Sequence, residues 1–239
     1  MNERINDTQL YKIVSVYGID INFDANFWFN WQNDYWYISI WFSAIYIFSC
    51  FAGQKWMQNR NAFNLRFMLS LWSCALAVFS VMGAFTMVPE LLFVLRNNGF
   101  HSSVCDSSFM KSAQQLFWQW LFAWSKLIEF GDTVFIILRK QKLSFLHLYH
   151  HALTLIWCFI FFPTAVGVNR WKAVMNYFVH SFMYSYYSAK AAKINFPKII
   201  PMFITTIQII QMFVGMLIST YTMALNFGDF ASECNISKG

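Results

Sequence analysis

The chain has 239 residues, of which 58% are hydrophobic, 21% aromatic and 12% charged. Soluble globular proteins carry roughly 25% charged residues. A domain of this size cannot hide so much apolar surface from water, so disorder, a collagen-like repeat and an ordinary soluble enzyme are excluded.

The first 34 residues contain four aspartates and no cationic-then-apolar leader, so they read as a non-cytosolic tail, with no cleavable signal peptide expected. Six predominantly apolar runs follow, at 35–53, 67–88, 116–138, 144–168, 173–189 and 199–225. Each approaches or exceeds the roughly 20 residues that cross about 30 Å of hydrocarbon. Pro89, Pro163, Pro197 and Pro201 lie at or near the ends of these runs, where a missing N–H is tolerated. No stretch alternates at period two for long enough to suggest a β-barrel. The expected fold is an all-α, polytopic membrane helix bundle of six spans. Residues 35–225 form its transmembrane domain and 226–239 a short C-terminal tail.

Charge divides the connections into two classes. Segments 54–66, 139–143 and 190–198 hold nine cations and no acid, among them Arg139, Lys140 and Lys142. The opposite segments hold seven cations diluted by nine acids. The positive-inside rule therefore places the basic loops in the cytosol and both termini across the membrane. The sequons at Asn6 and Asn235 fall on that non-cytosolic side as candidate glycosylation sites. So do Cys105 and Cys234, where a disulfide would persist, and the two are expected to pair. Cys50, Cys74 and Cys158 lie within spans and read as reduced packing residues.

Ionisable groups inside a span are expensive and are functional candidates by default. The third run carries Lys126, Glu129, Asp132 and Thr133, and the fourth opens with His147, His150 and His151, whose offsets of 0, +3 and +4 share one helical face. The fifth carries Asn176, His180, Met183, Tyr184 and Tyr187, and the sixth Thr205, Gln208 and Gln211. At about 1.5 Å per residue, Asp132, His150, His180 and Gln208 all sit about 10–15 Å from their basic loops. Four helices sharing one polar level predict a single chamber that opens toward the cytosol. Taken singly, His180 reads more readily as a satisfied interior residue than as a catalyst, the glutamines equally as interhelical hydrogen-bond partners, and the tyrosines as packing or an aromatic belt.

Clustered imidazoles suit several chemistries. His-x-x-His-His resembles the boxes of membrane di-iron enzymes, and four imidazoles with Glu129 and Asp132 form a possible but under-equipped metal set. Proton transport and a ligand-gated receptor are further options. The fourth is acyl chemistry, in which a neutral imidazole attacks a thioester while its neighbours act as acid, base and oxyanion donors.

Four motifs occur in one order: Lys-x-x-Glu-x-x-Asp-Thr (126–133), His-x-x-His-His (147–151), Asn-x-x-x-His-x-x-Met-Tyr-x-Tyr-Tyr (176–187) and Thr-x-x-Gln-x-x-Gln (205–211). Together they resemble the signature set of the fatty-acid elongases, and the resemblance runs from about residue 28 to 215. It implies a 3-oxoacyl-CoA synthase of the endoplasmic reticulum membrane, multi-pass with a lumenal N-terminus. Such an enzyme condenses a long-chain acyl-CoA with malonyl-CoA as co-substrate, and no metal or other cofactor is expected. The resemblance is strongest to the branch that extends palmitoyl-length saturated and monounsaturated chains.

His150 is the expected nucleophile, with His147 and His151 orienting or deprotonating it and with His180 and Asn176 stabilising the oxyanion or enolate. Lys126, Glu129, Asp132, Thr133, Tyr184, Tyr187, Thr205, Gln208 and Gln211 are expected to line the substrate chamber. Arg139, Lys140 and Lys142 are expected to meet the CoA phosphates. Partners are the two thioesters and the bilayer, with other elongation-cycle enzymes or a second copy as further candidates and no nucleic acid. The family pattern continues to a seventh span and a Lys-rich tail, neither of which precedes Gly239. The rival expectation is accordingly an inactive relative that binds acyl-CoA or pairs with an intact elongase.

Overall fold

The computed structural model describes residues 13–106, 108–164 and 167–227. It opens with a hairpin of β1 (Ile13–Val16) and β2 (Ile19–Asn22), paired antiparallel. Tyr17 and Gly18 make its two-residue turn with φ of 51° and 83°, a handedness that matches strand twist. Val14 and Val16 point into the core beside Phe117 and Trp118, and the Tyr17 hydroxyl donates to the Met82 carbonyl at 2.9 Å. Helix α1 (Ala25–Tyr35) follows, capped by Asp24, whose carboxylate accepts from the Phe27 amide at 2.9 Å. The described part of the expected N-terminal tail thus carries three elements packed on the bundle.

The helices behind it are α2 (Ile38–Met57), α3 (Arg66–Cys105), α4 (Ala113–Ile128), α5 (Phe130–Leu138), α6 (Phe145–Phe161), α7 (Gly167–Ala191) and α8 (Ile199–Phe227). Several boundaries differ from the sequence expectation, among them the end of the fourth run, where α6 stops at Phe161 and Gly167 and Val168 already belong to α7. Helix α3 does not stop at Pro89; it runs on to Cys105 with a kink at Gly99, whose φ of 81° and ψ of 177° leave the helical region. A proline removes only one ladder bond, and Glu90 beyond it is tied to α7. The third apolar run is two helices rather than one, broken at Glu129, which ends α4 and begins α5.

Among the described residues, α3 and α8 are long and apolar enough to cross a membrane, and α1 with α2, bent by 66°, would make a third such span. The other expected spans fall short for a definite reason. They are the helices that carry the polar motifs: α4 and α5 hold Lys126, Glu129 and Asp132, α6 has 17 residues, and α7 interleaves Asn, His, Ser and Tyr with its apolar positions. Large apolar side chains nevertheless cover the outside of the bundle, with Phe48 74% and Phe85 73% exposed. That surface suits lipid contact.

Helices α3 and α7 pair along much of their length. Gly83 makes the close approach possible, because a Cβ there would lie 2.6 Å from the Tyr177 ring. Tyr177 is itself fixed by donating to the Trp118 carbonyl at 2.9 Å. Helix α6 packs on α2 and α4, and α8 packs on α7. The three basic segments gather at one end. Lys140 Nζ donates to the Gln58 carbonyl at 3.1 Å, the Phe63 amide to the Leu138 carbonyl at 3.0 Å, and the Ser70 and Ser188 hydroxyls each to the other's carbonyl at 3.0 Å.

At the other end buried Arg170 pairs with Glu90 at 3.1 Å and donates to the Ser103 carbonyl and the Ser108 hydroxyl. Cys105, at this end, is disulfide-bonded; Cys234, its expected partner, lies outside the described residues, as do Asn6, Asn235 and nearly all of the C-terminal tail. Cys50, Cys74 and Cys158 are free thiols.

Candidate active site

The break at Glu129 lets α4 end with Lys126 and Glu129 on one side, three residues apart. Both are 3% exposed. Lys126 Nζ donates to Glu129 Oε1 at 2.7 Å and to Asn176 Oδ1 on α7 at 2.7 Å, and it lies 4.6 Å from the Phe122 ring centroid. An ion pair this deep calls for further hydrogen bonds, and here they converge on Oε1, while Oε2 has no hydrogen-bond partner among the described residues. The Ser125 hydroxyl donates to Glu129 Oε1 at 3.3 Å, and His180 Nδ1 stands 3.6 Å from the same oxygen.

These contacts fix the orientation of two ambiguous side chains. An ammonium can only donate, so the Asn176 atom facing Lys126 is its oxygen and its amide nitrogen turns to His180. Asn176 Nδ2 and His180 Nε2 are 3.1 Å apart, so His180 Nε2 accepts and the ring proton sits on Nδ1, toward Glu129. Lys126, Asn176, His180 and Glu129 therefore form a ring across α4 and α7, in which Lys126 keeps a third N–H and Asn176 a second one free of the ring. Residues 173, 176, 177, 180, 183 and 184 form the buried stripe of α7, at helical spacing, which carries Asn176 and His180 inward together.

Ser144 caps α6 by accepting from the His147 amide at 3.2 Å. The three imidazoles behind this cap do not share one environment. His147 Nε2 is 2.9 Å from the Thr133 hydroxyl on α5, which is 2.8 Å from the Tyr46 hydroxyl on α2. His151 lies against His147, ring centroids 4.3 Å apart. His150 alone of the three lines a cavity of about 160 Å³, together with Lys126, Asn176, Gln211 and the more apolar Phe122, Cys158 and Met175. The sequence left three equivalent imidazoles; the packing of α6 against α2 and α5 separates them.

The other candidates are placed as follows. Asp132 accepts from Trp72 Nε1 at 2.7 Å and from the Tyr184 hydroxyl at 2.6 Å, so it joins α3, α5 and α7. Gly131 admits the Trp72 ring, which a Cβ would meet at 2.5 Å. Gln208 Nε2 donates to Met183 Sδ at 3.0 Å. Thr205 is exposed and donates to the Pro201 carbonyl of its own helix, and Tyr187 is 43% exposed beside Tyr184. Arg139, Lys140 and Lys142 stay on the basic end, outside the cavity. Sequence reasoning missed Tyr46, Trp72 and Ser125, which hold the site residues, and Phe122 and Cys158 in the wall. Aromatic residues in an aromatic-rich chain carry no distinguishing signal. Among the described residues no three His, Cys, Asp or Glu side chains converge to hold a metal ion.

The family described as "ELO: GNS1/SUR4 family" matches residues 31–239, a span that includes all four motifs. The chain belongs to this family. Very long chain fatty acid elongase 6 of Drosophila melanogaster is 44% identical over 87% of this chain and 66% of its own length. Very long chain fatty acid elongase 3 of Homo sapiens is 39% identical over 90% of this chain and 78% of its own length. Very long chain fatty acid elongase 6 of Mus musculus is 42% identical over 85% and 76%, respectively. The chain thus spans about two thirds of the fly relative and about three quarters of the other two. In this ELO-family chain the motif residues of α4, α6 and α7 meet at one cavity, and those of α8 reach it through Gln211.

Proposed function

We propose that this protein is a condensing enzyme of fatty-acid elongation, a very-long-chain 3-oxoacyl-CoA synthase. It joins a palmitoyl-length acyl-CoA to malonyl-CoA and yields 3-oxoacyl-CoA, CO2 and CoA. The observation that carries this reading is the shared cavity wall of His150, Lys126 and Asn176, with apolar side chains beyond them. An uncharged nucleophile, fixed donors and a dry continuation are what thioester chemistry on a fatty chain requires.

The reaction runs in two halves. A ring nitrogen of His150 attacks the thioester carbonyl carbon, the C–S bond breaks, and CoA leaves with the proton released by the imidazole. Lys126 Nζ and the second N–H of Asn176 are the donors nearest to hand for the oxyanion, and Glu129 keeps the lysine's charge balanced. Malonyl-CoA then loses CO2. Its α-carbon forms a bond to the acyl carbonyl as the acyl–nitrogen bond breaks, and the imidazole recovers a proton from solvent. His180, already accepting from Asn176, holds that amide in place, while His151 and His147 brace His150 from behind.

The nine cations gathered at one end supply an attractive field for CoA phosphates. That end would face the cytosol of the endoplasmic reticulum membrane, with the N-terminus lumenal, and other elongation enzymes or a second copy would dock on the bundle. Purified protein given palmitoyl-CoA and labelled malonyl-CoA tests the reading. Stoichiometric CO2 and 3-oxoacyl-CoA are expected. Acyl-CoA binding without either product would instead describe a binding relative.

A further inference from the structure

The passage beside His150 does not end at the motif residues. The cavity of about 160 Å³ and a smaller one of about 20 Å³ share Phe122, Trp157, Cys158 and Lys172 in their walls. The smaller compartment carries three polar side chains, Gln119, Asn169 and Lys172, among the apolar Ala123 and Phe162 and the shared wall. Along α6, the step from His150 to the Trp157 and Phe161 rings that Lys172 covers corresponds to about 10–17 Å.

The Asn169 amide there donates to the Phe161 carbonyl, and the other two side chains have no acceptor oxygen among the described residues. Gln119 is 4% exposed, and its Nε2 has no hydrogen-bond partner among the described residues. Lys172 Nζ stands 3.5 Å from the Trp157 ring centroid, and among the described residues no acceptor oxygen lies on it. A buried amide nitrogen without a partner is destabilising, and Gln119 lines the compartment, so a group that accepts there would satisfy it. The compartment has room for about one water-sized group. A methyl terminus would fill it and leave the amide unpaired, and a carboxylate is too large. A hydroxyl fits, because it accepts from Gln119 or Lys172 and can donate in turn.

We infer that the far end of the passage is a subsite for acyl chains ending in a hydroxyl, seated on Gln119 and Lys172, so that ω-hydroxyacyl thioesters form a second substrate class. This rests on the elongation reading above. The test is equilibrium binding of a length series of ω-hydroxyacyl-CoA and plain acyl-CoA to the full chain, without malonyl-CoA, so that turnover plays no part. At the length that spans the passage, the hydroxyl is expected to tighten binding about three- to tenfold over the plain chain. That advantage is expected to disappear in Gln119→Leu and to shrink in Lys172→Met, each first shown to be folded by its thermal midpoint. A hydroxyl advantage at no length, or one that survives both substitutions, overturns this inference alone. Failure of plain acyl-CoA to bind at all overturns the elongation reading together with it.

Discussion

Lys126→Met removes the cation at the centre of the buried ring while keeping a side chain of similar length. Glu129 is then left as a carboxylate 3% exposed, with only the Ser125 hydroxyl and the His180 ring beside Oε1. Asn176 loses the donor that orients it. Breaking a buried pair by removing one partner costs about 3–5 kcal/mol, a large part of the roughly 5–15 kcal/mol that holds a domain folded. Removing both charges with Lys126→Met/Glu129→Gln leaves no uncompensated ion, so the double variant should be more stable than the Lys126→Met single. Thermal unfolding in detergent, followed by size-exclusion recovery after heating, ranks four proteins: the parent, Lys126→Met, Glu129→Gln and the double variant. A Lys126→Met protein as stable as the parent, or a double variant whose loss equals the sum of the two singles, would refute a coupled buried pair.

Three further outcomes follow from the geometry. Asn176→Asp replaces the amide donor to His180 with an acceptor, which forces His180 to protonate Nε2; turnover should fall and its pH profile shift, whereas an unchanged profile would contradict the ring orientation. Gly131→Ala drives a methyl into the Trp72 ring and weakens the Trp72–Asp132 bond; overpacking of this kind costs about 1–3 kcal/mol, read as a lowered thermal midpoint with the fold retained. Thr205→Val should change turnover by no more than about twofold, because the hydroxyl bonds only within its own exposed helix turn; a large loss would place Thr205 in the site.

Much of the site was legible because helical spacing and depth are both readable from sequence. Asn176 and His180 one turn apart, Lys126 and Glu129 three apart, and His150 at the same level on another helix do meet. What sequence spacing lacks is helix rotation. His147, His150 and His151 are equivalent by offset, and only the contact of His147 with Thr133, itself bonded to Tyr46, and the lining of the cavity by His150 show which one turns to the cavity. Thr205 shows the same limit from the other side. Residues six apart differ by about 120° around a helix, so Thr205 faces out while Gln211 faces in. The break at Glu129 and the extension of α3 past Pro89 were hidden for local reasons. An apolar run shows its length but not a bend within it, and a proline's lost bond is outweighed when the next turn is packed against Arg170. Asp132 lay at the expected level, yet both its oxygens are spent on Trp72 and Tyr184.

In the proposed reaction His150 carries the acyl group between the two halves. Incubating the purified protein with palmitoyl-CoA alone, then measuring free CoA and mapping the adduct by peptide mass spectrometry, tests it most directly. One CoA released per active protein, with the acyl mass on the peptide at His150 and both lost in His150→Ala, is the predicted result. No CoA release from a protein that still makes 3-oxoacyl-CoA when malonyl-CoA is added would contradict it.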